Sequence, residues 1–111
     1  MQTAMEHLLH KMYPRLEEVD IEAIMDYDPE VDTCMRSMSL PLDVKVQLRL
    51  EAYIRHNMTY YDDLLADGID RDRARMKVAS QVSAVVRYFE GETNFSKRDL
   101  HRLRNAGLTY R

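Results

Sequence analysis

The sequence predicts an all-α protein, a compact bundle of five or six helices, on three observations. Apolar residues recur at three- and four-residue spacing along most of the chain, the period of an amphipathic helix. Only three Gly and three Pro punctuate 111 residues, so regular elements joined by short connections must dominate. Several connections also carry helix start and stop residues. The length suits one domain with one modest core. That domain is taken as residues 1–111, with N-terminal helices in 1–40, a helical core in 41–91 and a basic C-terminal helix in 92–111.

The first helix is expected from about Thr3 to Met12, with Met5, Leu8, Leu9 and Met12 on one face and Pro14 just beyond. The second is expected from about Arg15 to Tyr27. Its stripe is Leu16, Val19, Ala23 and Ile24, Glu17 and Glu18 favour its start, and Pro29 ends it. A short helical turn from Glu30 to Met38 follows.

Residues Leu42 to Leu50 are the ambiguous stretch. Leu42, Val44, Val46, Leu48 and Leu50 alternate with polar residues, the pattern of a half-buried strand. Yet Glu51 to His56 continue without a breaker, Pro41 suits a first helical turn, and Ser39 offers a cap. A lone strand would also have no partner. The expectation is therefore a helix.

Thr59-Tyr60-Tyr61-Asp62 fits a capping box in which the Thr59 oxygen accepts the Asp62 amide. The helix it opens, Tyr60 to Asp67, is expected to close at Gly68 with Ile69 as the apolar residue of a Schellman ending. Asp70 then caps a long helix to about Glu90. Its stripe is Ala74, Val78, Val82, Val85, Val86 and Phe89, and Gly91 ends it. Ser96 and Asp99 cap a last helix from Lys97 to Ala106, with Leu100 and Leu103 buried and Gly107 as its stop.

Composition narrows the functional classes. The apolar fraction of 45% is that of a folded protein, and eight Met without Trp describe an adaptable core. Cys34 is the lone cysteine, so no internal disulfide is possible, which suits a reducing compartment. No stretch reaches the roughly 18 apolar residues of a membrane span, and the first residues carry Glu6 and two His, unlike a signal peptide. A cytoplasmic protein is expected.

Net charge is −3 but unevenly spread. Residues 1–70 carry 15 acids against 6 Lys and Arg, giving −9, whereas residues 71–111 carry 4 against 10, giving +6. Such polarity favours self-association, or an anionic partner at the C-terminal end.

Candidate chemistry is sparse. His7 and His10 share a helix face, but two imidazoles do not make a zinc site. The run Asp26, Asp28, Glu30, Asp32 suggests a calcium loop, yet Val31 and Ser37 stand where that loop needs Gly and Glu. No metal, cofactor or catalytic grouping is assigned. Arg71, Arg73, Lys77, Lys97, Arg98, Arg102 and Arg104 are the candidate phosphate contacts for nucleic acid. The Gly68 joint is also similar to a helix-turn-helix. However, Asp63 and Asp67 occupy apolar positions of that motif, and Lys77 falls where the second helix should be anchored.

A second constellation runs Arg55-His56, then Thr59, then Tyr61-Asp62, then Leu64-Leu65 and Ala74-Arg75, followed by Val78, Val82 and Val86. This pattern, over about residues 41–91, resembles the family known only as domain of unknown function 2293. It departs from that pattern before Gly91, where Tyr88-Phe89-Glu90 stand in place of an expected Trp. The resemblance implies helices over residues 42–57 and no particular activity. Read physically, Thr59 and Asp62 cap a helix, Arg75 reaches back to Asp62 or Asp63, and His56 bonds a helix end or packs on Tyr60 or Tyr61. The residues would thus fix an interhelical angle, while His56, Thr59, Tyr61, Asp62 and Arg75 are also the candidate ligand site. The functional expectation is a non-enzymatic helical interaction module, a homodimer or a partner-binding protein. Nucleic-acid binding through the basic C-terminal helices is the alternative.

Overall fold

The computed structural model describes residues 3–26, 40–92 and 96–108. Within them the chain forms six helices and no strand: α1 (Ala4–Met12), α2 (Glu18–Asp26), α3 (Leu42–Met58), α4 (Tyr61–Ala66), α5 (Arg71–Phe89) and α6 (Lys97–Leu108). Cys34, the acids at 28, 30 and 32, the cap at Ser39 and the short turn expected over residues 30–38 lie outside the described residues.

Capping chemistry sets most boundaries. Thr3 and Glu6 form a full capping box on α1, a signal that the sequence reading passed over. The Asp70 carboxylate accepts the Arg73 amide at 2.9 Å and opens α5. Ser96 and Asp99 exchange bonds at the start of α6: the Asp99 N–H donates to Ser96 Oγ at 3.2 Å and the Ser96 N–H to Asp99 Oδ2 at 2.9 Å. Those donors hold the Asp99 carboxyl below its usual range. Gly68 and Gly91 take φ of +88° and +93° and end α4 and α5 as expected. Gly107 does not stop α6, which runs on to Leu108.

The stretch that alternated like a strand lies within a 17-residue helix. Helical geometry explains the alternation, because Val46, Leu50 and Ile54 form one fully buried i, i+4 row. Val44 and Leu48 form a half-buried row beside it, while Leu42 is largely exposed at the helix start. The expected stripe of α2 is corrected. Ile21 and Ile24 are buried, whereas Val19 is 66% exposed and Ala23 faces outward. The helix begins three residues later than expected, and Leu16 is buried from the connection before it.

Helices α3 and α5 form the centre. Helix α5 packs against α3, α4 and α6, and α3 also receives α1 and α2. The stripe Ala74, Val78, Val82, Val85 and Phe89 is buried, with Tyr88 edge-on to Phe89 at 5.4 Å. The N-terminal connection is sewn onto the end of α5. The Arg15 N–H donates to the Phe89 carbonyl at 3.3 Å, and a methyl group on Gly91 would lie 3.5 Å from Pro14 Cγ. Arg49 of α3 reaches the Ile24 and Met25 carbonyls at 3.5 Å and so satisfies the open end of α2. Helix α6 folds back along α5, and the Gln81 side chain donates to the Leu103 carbonyl. The result is a slab of 42 × 34 × 19 Å.

Candidate functional site

The joint between α3 and α4 gathers most of the predicted motif. Helix α3 ends at Met58, and Thr59 turns the chain in an extended conformation (φ −141°, ψ 171°). The Thr59 hydroxyl, in a residue only 3% exposed, donates to the Arg55 carbonyl at 2.5 Å and accepts the Tyr61 amide at 3.2 Å. It therefore joins the last turn of α3 to the first of α4. This corrects the expected capping box. Because α4 starts at Tyr61, Thr59 stands one residue too early to serve Asp62, and Tyr60 occupies the cap position without a side-chain bond.

Released from that role, the Asp62 carboxylate meets His56 Nδ1 at 2.7 Å. The imidazole packs edge-on to the buried Tyr61 ring, with centroids 5.2 Å apart at 81°. Arg55 holds its guanidinium 5.7 Å from the same ring. His56, Thr59, Tyr61 and Asp62 are thus brought together. Arg55 joins them as a site residue that the sequence reading named only as part of the pattern. Its signal was available: a cation one residue before His56, in the last helical turn, ahead of an aromatic residue. Arg75 lies half-buried at the edge of the α5 stripe, on the helix against which α4 packs.

A carboxylate that orients an imidazole is the arrangement of a general base. Here the His56 and Asp62 side chains are 30% and 60% exposed. The His56–Asp62 contact links the last turn of α3 to the first turn of α4.

The seven candidate phosphate contacts are divided between α5 and α6. Arg71 and Arg73 sit at the start of α5, where Arg73 faces the Asp70 carboxylate at 4.0 Å. Lys77 is exposed one turn before Gln81, on the flank of α5 that meets α6. On α6, Arg98 and Arg102 are exposed one turn apart on the outer side. Lys97 and Arg104 instead line a cleft against the α1–α2 connection, and Lys97 pairs with Glu17 at 3.3 Å.

Among the described residues no three His, Cys, Asp or Glu side chains are grouped as a metal would require. His10 instead meets Glu18 at 3.5 Å, linking α1 to α2. No described helix is long and apolar enough to cross a membrane.

An all-helical protein built round a central α3–α5 pair, with a clamped α3–α4 joint, is the class that fold and site define. The family model described as "Uncharacterized conserved protein (DUF2293)" matches residues 8–90, and the chain belongs to that family. The match reaches back into α1 and so extends well beyond residues 41–91. Comparison with curated proteins and with solved structures found no significant match.

Proposed function

We propose that this protein is a non-enzymatic helical interaction module that associates with a second copy of itself through opposite charges. The observation behind this reading is the placement of exposed charge at two separate parts of the slab. Asp63 stands exposed on α4 and Asp67 at its C-terminal cap, next to the start of α5. Arg98 and Arg102 stand exposed on α6, whose first turn follows the other end of α5. Arg102 adjoins Leu103, which Gln81 bonds ten residues into α5, so about 15 Å of helix separates it from the α4 acids, and Arg98 lies one turn farther. Between two chains the two sets can face each other. Apolar association has less behind it. Among the described residues the exposed large apolar side chains, Val19, Leu42 and Met76, lie singly on three different helices.

Sedimentation velocity at low and high salt tests this reading. The expected result is a dimer or larger assembly at about 50 mM salt that dissociates at about 500 mM, because exposed ion pairs are screened. A monomer at low salt and high protein concentration would overturn it. A second reading, nucleic-acid binding, draws support from Lys77 lying along the same hairpin as Arg98 and Arg102. A monomer whose retention on DNA or RNA falls steeply with salt would favour that reading instead.

A further inference from the structure

We infer that the cleft between the α1–α2 connection and α6 is a binding site for a compact aromatic anion. The inference is independent of the self-association reading, which uses the outer side of α6. Met58, Tyr88, Phe89 and Leu100 form the apolar part of the lining. Arg15 from the connection, and Lys97, His101 and Arg104 from three successive turns of α6, supply the basic groups. The residues reach the cleft by different routes: Phe89 binds the Arg15 amide through its carbonyl, and α6 is fixed by the Gln81–Leu103 bond.

The cleft encloses about 170 Å³. An apolar cavity of roughly 150 Å³ is enough to take benzene, whereas drug-sized ligands need roughly 300 Å³ or more. One ring with a small substituent therefore fits, and a nucleotide does not.

Charge selects the substituent. The two carboxylates in the lining are engaged. Glu17 pairs with Lys97, and Asp20 accepts the Tyr53 hydroxyl at 2.7 Å and the Glu17 amide at 3.1 Å. The Arg15 guanidinium lies over the Tyr88 ring at 4.8 Å, which presents a cation beside an aromatic floor. Arg15, Lys97 and Arg104 exceed Glu17 and Asp20 by one positive charge, before any proton on His101. A ring seated against Leu100, beside the Arg15–Tyr88 stack, would place its acidic group toward Arg104, where the charge is gained.

Titration of the full chain with phenyl phosphate and with benzoate, followed by amide NMR shifts, tests the site. Inorganic phosphate and benzyl alcohol serve as half-probes. At least one aromatic anion should give saturable shifts at residues 15–20 and 97–104, and bind about tenfold tighter than either half-probe. Arg104→Glu should remove the binding and Lys11→Glu, on α1, should leave it unchanged; both side chains are exposed. Val19→Trp, which fills the mouth from an exposed position, should weaken it independently of charge. No saturable shift by either aromatic anion up to about 10 mM, equal binding of a half-probe, or equal loss with Lys11→Glu would overturn the site.

Discussion

Thr59 shows how one side chain can hold two elements. Its hydroxyl is buried and makes two bonds, one to each helix of the joint, so neither backbone group is left unsatisfied. Thr59→Ala should lower stability by about 1–2 kcal/mol, because the Tyr61 amide would lose its partner in a buried setting. Thr59→Ser should retain most of it; urea unfolding of the two variants gives the comparison. By contrast, the exposed His56–Asp62 pair is of the kind that contributes about 1 kcal/mol or less. The joint's stability therefore rests on Thr59 and Tyr61 more than on the His56–Asp62 contact. Two buried phenols make a second prediction at this scale. Burial, with Glu90 and Glu51 nearby, pushes the Tyr13 hydroxyl up from 10.0 to about 12. Burial and the Asp20 hydrogen bond push Tyr53 up as well. The folded chain binds these protons more tightly than the unfolded chain, so their contribution is intact below about pH 10 and is lost as pH rises further. Urea midpoints should thus fall between pH 10 and 12, with phenolate absorbance at Tyr13 and Tyr53 appearing late. Tyr13→Phe should flatten that fall, and an unchanged slope would count against the assignment.

At the scale of elements, caps rather than propensities place the helices. The α4 ending is a Schellman motif: the Ile69 N–H donates to the Leu64 carbonyl and the Gly68 N–H to the Leu65 carbonyl, both at 3.1 Å. A methyl group on Gly68 would meet nothing within 4 Å. Gly68→Ala should consequently cost about 1–2 kcal/mol through backbone conformation alone, with Gly68→Asn milder. A loss near zero in thermal or urea unfolding would mean that the chain relaxes out of φ +88°. Local signals of this sort were legible in the sequence at Gly68, Asp70, Gly91 and Ser96. They misled at Thr59, because a capping box and the turn before a helix use the same residue types. They misled again at Gly107, since a glycine tolerates the helical interior as well as the left-handed turn.

Across the whole molecule, the exposed acids Asp63 and Asp67 and the exposed cations Arg98 and Arg102 stand on different parts of the slab. If association is electrostatic, reversing Arg98 and Arg102 to Glu should dissociate the complex at low salt. Mixing that variant with one carrying Asp63→Lys and Asp67→Lys should restore association, measured by sedimentation velocity. Failure of the mixture to associate, with each variant folded, would refute complementary pairing of these faces. The same scale explains why the basic residues could not be sorted from sequence. Position along α6 alone does not reveal that Lys97 and Arg104 face the α1–α2 connection while Arg98 and Arg102 stand outside. That division depends on the register set between Gln81 and Leu103, 22 residues apart.

The sequence by itself determined the helical class, most helix boundaries and the residues of the α3–α4 joint, because caps, glycines and apolar rows act over three to seven residues. Tertiary structure decided which apolar rows are buried and which cations are neighbours. It turned α2 so that Ile21 rather than Val19 meets the core, and it gathered Asp20, Tyr88 and Arg104 about one cleft. Those relations join residues dozens of positions apart. They follow from how amphipathic faces pack, which no local spacing encodes.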